Sequence, residues 1–358
     1  MTSPPRDYSA MTGPVAAGDL AAFAAPIQGS TEYAAASKFV STRGKSVLGG
    51  VLLLALFGLM GILALVELAA GLLSRYSSSD AILGPSILLA VSVVLVTIVV
   101  IWVRRQSGPD VNSWTSWYRL SRFAGANGMR FTAVDSGLSY PGSLFGIGNT
   151  SWVFGHLSFD GGRFFDIGNY TYATGTGTSL STSNWGYLAV QLDRSLPNMV
   201  LDAKRNNRLF GTTNLPFSFA KDQVLSLEGD FDRYFTLYCP KEYESDALYV
   251  FTPDLMALLV DETQRFDVEI VEDWMFLYSA KPLNLVEVPT LTRLFAIIDT
   301  VGAKAIGQSE RYADDRGGGR AMDMVAPAGQ RLRRGWPVFA IIAAALVLGG
   351  VVLFSVLR

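Results

Sequence analysis

Three long apolar runs constrain this chain more than any other feature of its sequence. They extend from Ser46 to Leu73, from Ala81 to Val103 and from Trp336 to Leu357. Each is long enough for the roughly 20-residue helix that crosses a hydrocarbon core about 30 Å thick. The sequence therefore predicts three transmembrane helices.

Glu67 is the one acid within these runs. An acid inside a membrane helix is a functional candidate, for example in a proton relay or in helix pairing. Glu67 also lies about two turns from the end of its run, so its carboxylate can reach the membrane interface. Both interpretations stay open.

Lysine and arginine are concentrated at three of the six ends of these runs. Cytoplasmic flanks of membrane helices are enriched in these residues. The opposite ends carry only Arg75 and Arg358. We therefore expect a multi-pass protein of the cell membrane with its N terminus and main domain in the cytoplasm, a short external link, and its C terminus outside. The cytoplasmic flanks carry Lys38, Arg43 and Lys45 before the first run, Arg104, Arg105, Arg119 and Arg122 after the second, and Arg331, Arg333 and Arg334 before the third.

The remaining sequence divides by composition. Residues 1–44 are rich in Ala, Ser, Pro and Gly and are predicted to be disordered. A transmembrane hairpin at 45–105 (spans 46–73 and 81–103) precedes a cytoplasmic domain at 106–308. A flexible tether at 309–335, with three glycines at 317–319, then leads to the last span at 336–357.

The domain begins with an aromatic stretch at 112–127 that has helical apolar spacing. This juxtamembrane helix either packs its aromatic side chains on the domain or lies on anionic lipid headgroups. The sequence does not decide between the two.

Apolar residues then alternate with a period of two, which is typical of strands. Leu188, Val190 and Leu192 share one face, and the same pattern recurs at 235–239, 266–270 and 274–278. The Asp-Gly-Gly sequence at 160–162 predicts a hairpin turn. Helical stripes follow Thr252 and occupy 289–308. Because strands and helices do not alternate regularly, the pattern predicts an α+β fold with an antiparallel sheet and flanking helices. The acids of the last strands are expected on the solvent side of a hairpin: Asp267, Glu269, Glu272 and Asp273.

Composition excludes several classes of function. The formal net charge of −2 gives no reason to expect a nucleic-acid partner. Cys239 and His156 are the only residues of their types, so the chain alone forms neither a disulfide framework nor a histidine-rich metal site. Cys239 is predicted to be a buried thiol, and His156 a structural residue. We predict no catalytic residue, no metal ligand and no cofactor.

Two polar clusters are candidate sites. The segment 201–208 combines cations and amides that suit a phosphate or carboxylate, although a solvated loop facing anionic lipid has the same composition. The candidate ligand-binding residues there are Lys204, Arg205, Asn206 and Arg208. Asp230 and Asp232 are close enough in sequence to bind Mg²⁺ or to act as paired carboxylates. The alternative is a turn in which Asp232 pairs with a nearby arginine.

Four segments carry a resemblance to a known family. They are YPGSLFGIG at 140–148, VLDAKRNN at 200–207, LEGDFDRYFTLYCP at 227–240 and DALYVFTPDLMALLVDE at 246–262. With the membrane hairpin they resemble a family of uncharacterised bacterial multi-pass membrane proteins that have a cytoplasmic α+β domain. The resemblance implies this architecture and no activity.

We therefore expect a membrane-anchored cytoplasmic domain that acts as a binding, sensing or scaffolding module rather than as an enzyme. Its expected partners are the lipid bilayer and either a protein or an anionic ligand, and an oligomer is compatible with the sequence. The alternative is a membrane-associated enzyme that uses the Asp230 and Asp232 carboxylates.

Overall fold

The computed structural model describes residues 6–73, 79–106, 113–175, 181–207, 213–227, 229–310, 312 and 325–335. The third predicted span, the three glycines of the tether and Arg208 lie outside these residues. The chain forms two compact units, one of residues 1–24 and 111–358 and the other of residues 25–110.

The helices and strands follow one another in the order α1 (Ser9–Thr12), α2 (Ala17–Gln28), α3 (Thr31–Leu73), α4 (Ser79–Gln106), α5 (Trp114–Ala126), β1 (Arg130–Asp135), β2 (Thr150–Phe159), β3 (Phe165–Thr174), β4 (Ser181–Ala203), β5 (Val224–Leu225), β6 (Phe235–Tyr238), α6 (Glu244–Val250), α7 (Pro253–Thr263), β7 (Asp267–Ser279), α8 (Val288–Ile297), α9 (Ala303–Ser309) and α10 (Pro327–Gln330).

The smaller unit is a helical hairpin. Within α3 and α4, Val51–Leu72 and Ile82–Val100 are long and apolar enough to cross a membrane. Of the twenty large hydrophobic side chains that are exposed in the described part of the chain, seventeen belong to these two stretches. Exposed apolar surface of this extent marks contact with a membrane or a partner. Two of the three predicted apolar helices are thus present.

Small residues line the contact between α3 and α4. Ala64 and Ser92 are buried there, and a Cβ atom added to Gly61 would lie 2.9 Å from the Ser92 hydroxyl. Glycine, alanine and serine let helix backbones approach closely, as is common between membrane helices. Glu67 lies outside this contact with an exposed side chain.

The larger unit is built on one antiparallel seven-stranded sheet, which confirms the α+β prediction. Its strand order is β1-β2-β3-β4-β6-β5, and β7 pairs along the other edge of β4. The turn at 160–162 joins β2 to β3 as expected. The 23-residue strand β4 pairs with β3 in its first half, with β6 at its end, and with β7 along most of its length.

Helices α5 to α9 cover one face of this sheet. Leu188, Val190 and Leu192 point into this core as their alternation predicts. Leu120 and Phe123 of α5 belong to the same core, and Trp117 of this helix is also buried, with 2% of its surface exposed. Packing on the domain, rather than contact with headgroups, therefore accounts for the buried side of this helix. Thr252 and Pro253 begin α7 at the predicted position.

The opposite face of the sheet is also buried. Tyr187, Phe276 and Tyr278 form a second apolar cluster there, beneath segments 136–149 and 213–223. The prediction that Asp267 and Glu269 face solvent is wrong, because these side chains are at most 1% exposed. Segments with little regular structure cover this face, and they have no apolar period that the sequence would reveal.

The N-terminal segment differs from the disorder predicted for residues 1–44. Residues 6–24 contain α1 and most of α2 and pack on the domain. The Arg6 guanidinium binds both carboxylate oxygens of Asp299 at 2.9 and 3.1 Å and stacks 4.1 Å from the centre of the Phe295 ring. Asn127 holds both the amide and the carbonyl of Asp7. A few well-placed side chains thus fix a segment whose average composition is that of a disordered chain.

The C-terminal end of the described chain also differs from the tether predicted at 309–335. Residues 325–335 lie against the domain, where the Asn198 side chain accepts from the Leu332 amide at 2.9 Å. The Gln223 side chain both donates to and accepts from the Arg333 backbone. These side-chain contacts add to the antiparallel backbone bridge between Arg334 and Phe219.

Substitution of Arg6 tests how the N-terminal segment is held. Arg6→Ala removes a bidentate, partly buried ion pair, and we expect about 1–2 kcal/mol less free energy for docking. Backbone amides of residues 7–13 should then exchange with deuterium about 5–30 times faster in the full chain in detergent.

Arg163→Ala is the matched control, because Arg163 pairs with Glu310 only at 4.0 Å and both side chains are more than half exposed. Equal exchange rates in the two variants would contradict the docking role of Arg6.

Candidate functional site

Four carboxylates are buried on the covered face of the sheet. Asp166, Asp202, Asp267 and Glu269 are between 0% and 5% exposed. Acids are almost never fully buried unless a partner satisfies their charge. The hydrogen-bond partners of each carboxylate therefore show whether it is a structural acid or a candidate binding group.

Asp166 is fully satisfied by side chains of the same unit. Its Oδ1 lies 2.8 Å from His156 Nδ1, and its Oδ2 accepts from the hydroxyls of Tyr140 and Tyr187, both at 2.9 Å. Gly168 makes this packing possible, since a Cβ atom there would lie 2.8 Å from the Tyr187 hydroxyl oxygen. Asp166 thus joins three strands and a covering segment.

The charges of this network stabilise one another. Burial lowers the pKa of His156, but the hydrogen bond and charge of Asp166, together with the charge of Asp135, raise that pKa above its ordinary value overall. Burial and the Asp166 charge raise the pKa of Tyr187 well above its usual value. His156 is 5% exposed and is held by Asp166, as expected for a structural histidine.

Glu269 is satisfied in the same way. The Ser143 amide and hydroxyl each donate to it at 2.7 Å, and the Tyr278 hydroxyl donates at 2.8 Å. Asn198 completes the set at 3.4 Å. Glu269 therefore fixes the covering segment 136–149 on the sheet.

Asp202 and Asp267 form a different arrangement, in which two acids are neighbours. Leu201 of β4 pairs with Val268 of β7, so the next residues in this antiparallel register are Asp202 and Asp267. Asp267 Oδ1 accepts from the Ala203 amide at 2.9 Å and from Asn206 Nδ2 at 3.2 Å. Thr213 hydrogen-bonds to Asp202.

Proximity and burial raise the pKa values of both acids. Burial raises the pKa of Asp202 to about 6, although the Thr213 hydrogen bond and the Lys204 charge oppose it. Burial and the neighbouring Asp202 charge raise the pKa of Asp267 to about 8. Near pH 7 the pair therefore carries less than its full negative charge.

Six buried side-chain atoms of these residues and their chain neighbours have no hydrogen-bond partner in the described part of the chain. Two belong to the acids and one to Asn206, which bonds to Asp267, and the other three belong to Asn207 and Asn214, which directly follow Asn206 and Thr213. Most buried polar atoms in proteins are paired, and a cluster of unpaired atoms calls for a bound water, ion or ligand. We call these five residues the acid-pair site: Asp202 (Oδ1), Asn206 (Oδ1), Asn207 (Oδ1), Asn214 (Oδ1 and Nδ2) and Asp267 (Oδ2).

The segment 201–208 is the predicted binding loop, and its two described cations, Lys204 and Arg205, are engaged within the chain. Lys204 Nζ donates to the Asp232 carbonyl oxygen, and Arg205 donates to Gln264 at 3.0 Å. Asn206 donates to Asp267 and belongs to the acid-pair site. Whether these residues bind an anion stays a prediction.

Asp230 and Asp232 lie at a short turn before β6. The Asp232 carboxylate accepts from the Ser226 hydroxyl and, at 3.2 Å, from the Leu227 amide. These contacts close the turn around Asp232, whereas Asp230 is exposed.

Cys239 is buried as predicted, and burial together with the charges of Glu244 and Asp246 raises its pKa to about 12.

A surface depression of about 350 Å³ lies at the far end of the covering segment, lined by Ser136 and residues 145–152. Its lining carries no charged side chain.

Within the described residues, no group of three or more His, Cys, Asp or Glu side chains is placed to hold a metal ion. The acid-pair site has two acids and three amides, and it is the candidate functional site.

Comparison of the chain with protein-family models, with curated proteins and with solved structures gives no match.

The raised pKa of Asp267 predicts a pH-dependent stability. In an unfolded chain this carboxyl titrates near pH ~4, so the folded state holds one more proton between about pH 4 and the folded pKa of about 8. The free energy of unfolding should fall as pH rises through this window, by at most about 1.4 kcal/mol per pH unit. Asp202 acts in the same direction up to about pH 6.

Asp267→Asn should remove much of this dependence, because the amide is uncharged and keeps an oxygen for the Ala203 N–H. The measurement is the melting temperature of the full chain in detergent with EDTA, from pH 5 to 8.5. The exposed Asp230→Asn is the control and should follow the wild type. Parallel curves for wild type and Asp267→Asn would contradict the raised pKa.

Substitution of Gly142 tests the cover on this face. A Cβ atom at Gly142 would overlap the Tyr278 hydroxyl and lie 2.9 Å from Phe276. Gly142→Ala should therefore lower the free energy of unfolding by about 1–3 kcal/mol. Gly146→Ala, in the same segment, meets open space and should leave the melting temperature unchanged. Similar melting temperatures for the two variants would show that segment 136–149 does not pack as described.

Proposed function

We propose that this chain is a membrane-attached cytoplasmic module that binds a small polar ligand at the acid-pair site. The observation that carries the proposal is the unequal satisfaction of the buried acids. Asp166 and Glu269 have every carboxylate oxygen paired within the domain, whereas Asp202 and Asp267 each have an unpaired oxygen. Free hydrogen-bonding groups in a buried cluster are typical of a binding site.

Membrane attachment is supported by the two apolar helices, and cytoplasmic placement by the basic residues that flank them. Residues 6–24 precede α3, and α5 follows α4 in sequence, yet both belong to the larger unit. In sequence order, parts of the domain therefore lie both before and after the helical hairpin. This supports a module held at the membrane through two connections.

Binding has more support than catalysis. His156 is enclosed by its contact with Asp166, and the Asp232 carboxylate closes a turn. An enzyme using Asp230 and Asp232 therefore has no described contact in its favour. An anion at Lys204 and Arg205 would compete with their contacts inside the chain and would lie beside two buried acids. A protein partner and an oligomer stay predictions.

Thiol labelling tests the orientation. In a Cys239→Ser background, Ser77→Cys should react with a membrane-impermeant maleimide in intact cells, because the link between the spans is expected outside. Asp110→Cys should react only after the cells are permeabilised. Reaction of both thiols from the same side would overturn the cytoplasmic placement.

A further inference from the structure

We infer that the acid-pair site binds a hard divalent cation, Mg²⁺ or Ca²⁺, through carboxylate and amide oxygens. The inference rests on the proposed function and specifies the ligand of that same site. It follows from three properties of the site: its atoms, its charge and its burial.

The unpaired atoms are those that such a cation prefers. Five of the six are oxygens, two from carboxylates and three from amides. Hard divalent cations take oxygen ligands, carboxylates and asparagine carbonyls among them. The site offers no sulfur or imidazole ligand, so its chemistry does not favour zinc or copper.

The Asn214 side chain gives evidence for a ligand that does not depend on the two acids. It is 4% exposed, and neither its oxygen nor its nitrogen has a partner in the described part of the chain. It directly follows Thr213, which hydrogen-bonds to Asp202. A buried amide with no partner is costly, because it has lost its hydration without a replacement. Because Asn214 is unpaired and adjoins the residue that bonds to Asp202, we assign its oxygen as a further ligand of the cation.

The Asn206 side chain connects the amides to the acids. Its Nδ2 donates to Asp267 Oδ1, and this bond leaves the Asn206 oxygen buried without a partner. The Asp267 oxygen that does not take part in this bond, Oδ2, is unpaired as well. The paired atoms therefore fix the orientation of the two side chains, while their remaining oxygens stay available to a ligand.

The charge of the site also calls for a cation. Two adjacent buried carboxylates repel each other when both are ionised. The charge of Lys204 acts on Asp202, but the Lys204 ammonium donates its hydrogen bond to the Asp232 carbonyl oxygen. A divalent ion bound by the unpaired carboxylate oxygens would neutralise the charges of the two acids.

Binding is tested on the full chain in detergent, freed of metals with EDTA and dialysed at pH 7.5. MgCl₂ and CaCl₂ are titrated separately by isothermal calorimetry and by thermal shift. We expect saturable binding of one ion per chain and a melting temperature that rises with ion concentration. The ion with the lower dissociation constant, Mg²⁺ or Ca²⁺, is the one that we assign to the site.

Three variants locate the bound ion. Asp267→Asn and Asn214→Ala should each weaken binding at least tenfold, whereas the exposed Asp230→Asn should bind as the wild type does. Asn214→Ala keeps the test decisive if Asp267→Asn folds poorly, because the Asn214 side chain makes no hydrogen bond in the described part of the chain. Equal affinity in all three variants would overturn the assignment.

The same measurements separate failure of the inference from failure of the proposed function. If neither divalent ion binds but K⁺ or spermidine stabilises the wild type and not Asp267→Asn, the divalent cation is overturned and the binding site remains. If no cation binds and Asp267→Asn is more stable than the wild type at pH 8, both proposals are overturned. The acids would then be a protonated pair without a ligand.

Discussion

Burial of four acids on one face of the sheet is the constraint on which the rest of this domain depends. Each acid requires donors, and those donors arrive from segments distant in the chain. Asp166 takes hydrogen bonds from three aromatic residues, and Glu269 takes two from Ser143. The covering segment 136–149 is therefore held by polar contacts as well as by apolar packing, which explains why a segment without regular structure lies in one place.

The fold could be predicted from the sequence where one periodic face meets one core. Leu188, Val190 and Leu192 alternate because β4 buries that face under helices, and the pattern reveals the strand. The opposite face escaped prediction because Asp267 and Glu269 alternate with Val268 and Ile270 just as solvent-facing acids would. Alternation identifies a strand, but it does not distinguish an acid in water from an acid beneath a covering segment.

The candidate site shows the same limit. Asp230 and Asp232 form a candidate pair in the sequence because they are two residues apart. Asp202 and Asp267 are 65 residues apart and meet only through the register of β4 with β7. The sequence predicts Asn206 as a ligand-binding residue together with Lys204, Arg205 and Arg208. The structure separates Asn206 from the two described cations, since the amide side chain bonds to Asp267 and these cations bond elsewhere. The pairing of strands that are distant in sequence determines which residues meet at this site, and the local sequence pattern does not reveal that pairing.

The two strands that carry the acid-pair site, β4 and β7, also hold the covering segment 136–149 and the chain at Leu332. On β7, Asp267 lies two residues from Glu269, which holds the covering segment 136–149. On β4, Asp202 lies four residues from Asn198, whose side chain holds both Glu269 and the amide of Leu332. Leu332 directly precedes the arginines that flank the last apolar run. Asp267 and Asp202 therefore lie on the same short stretches of β4 and β7 that hold the chain at Leu332.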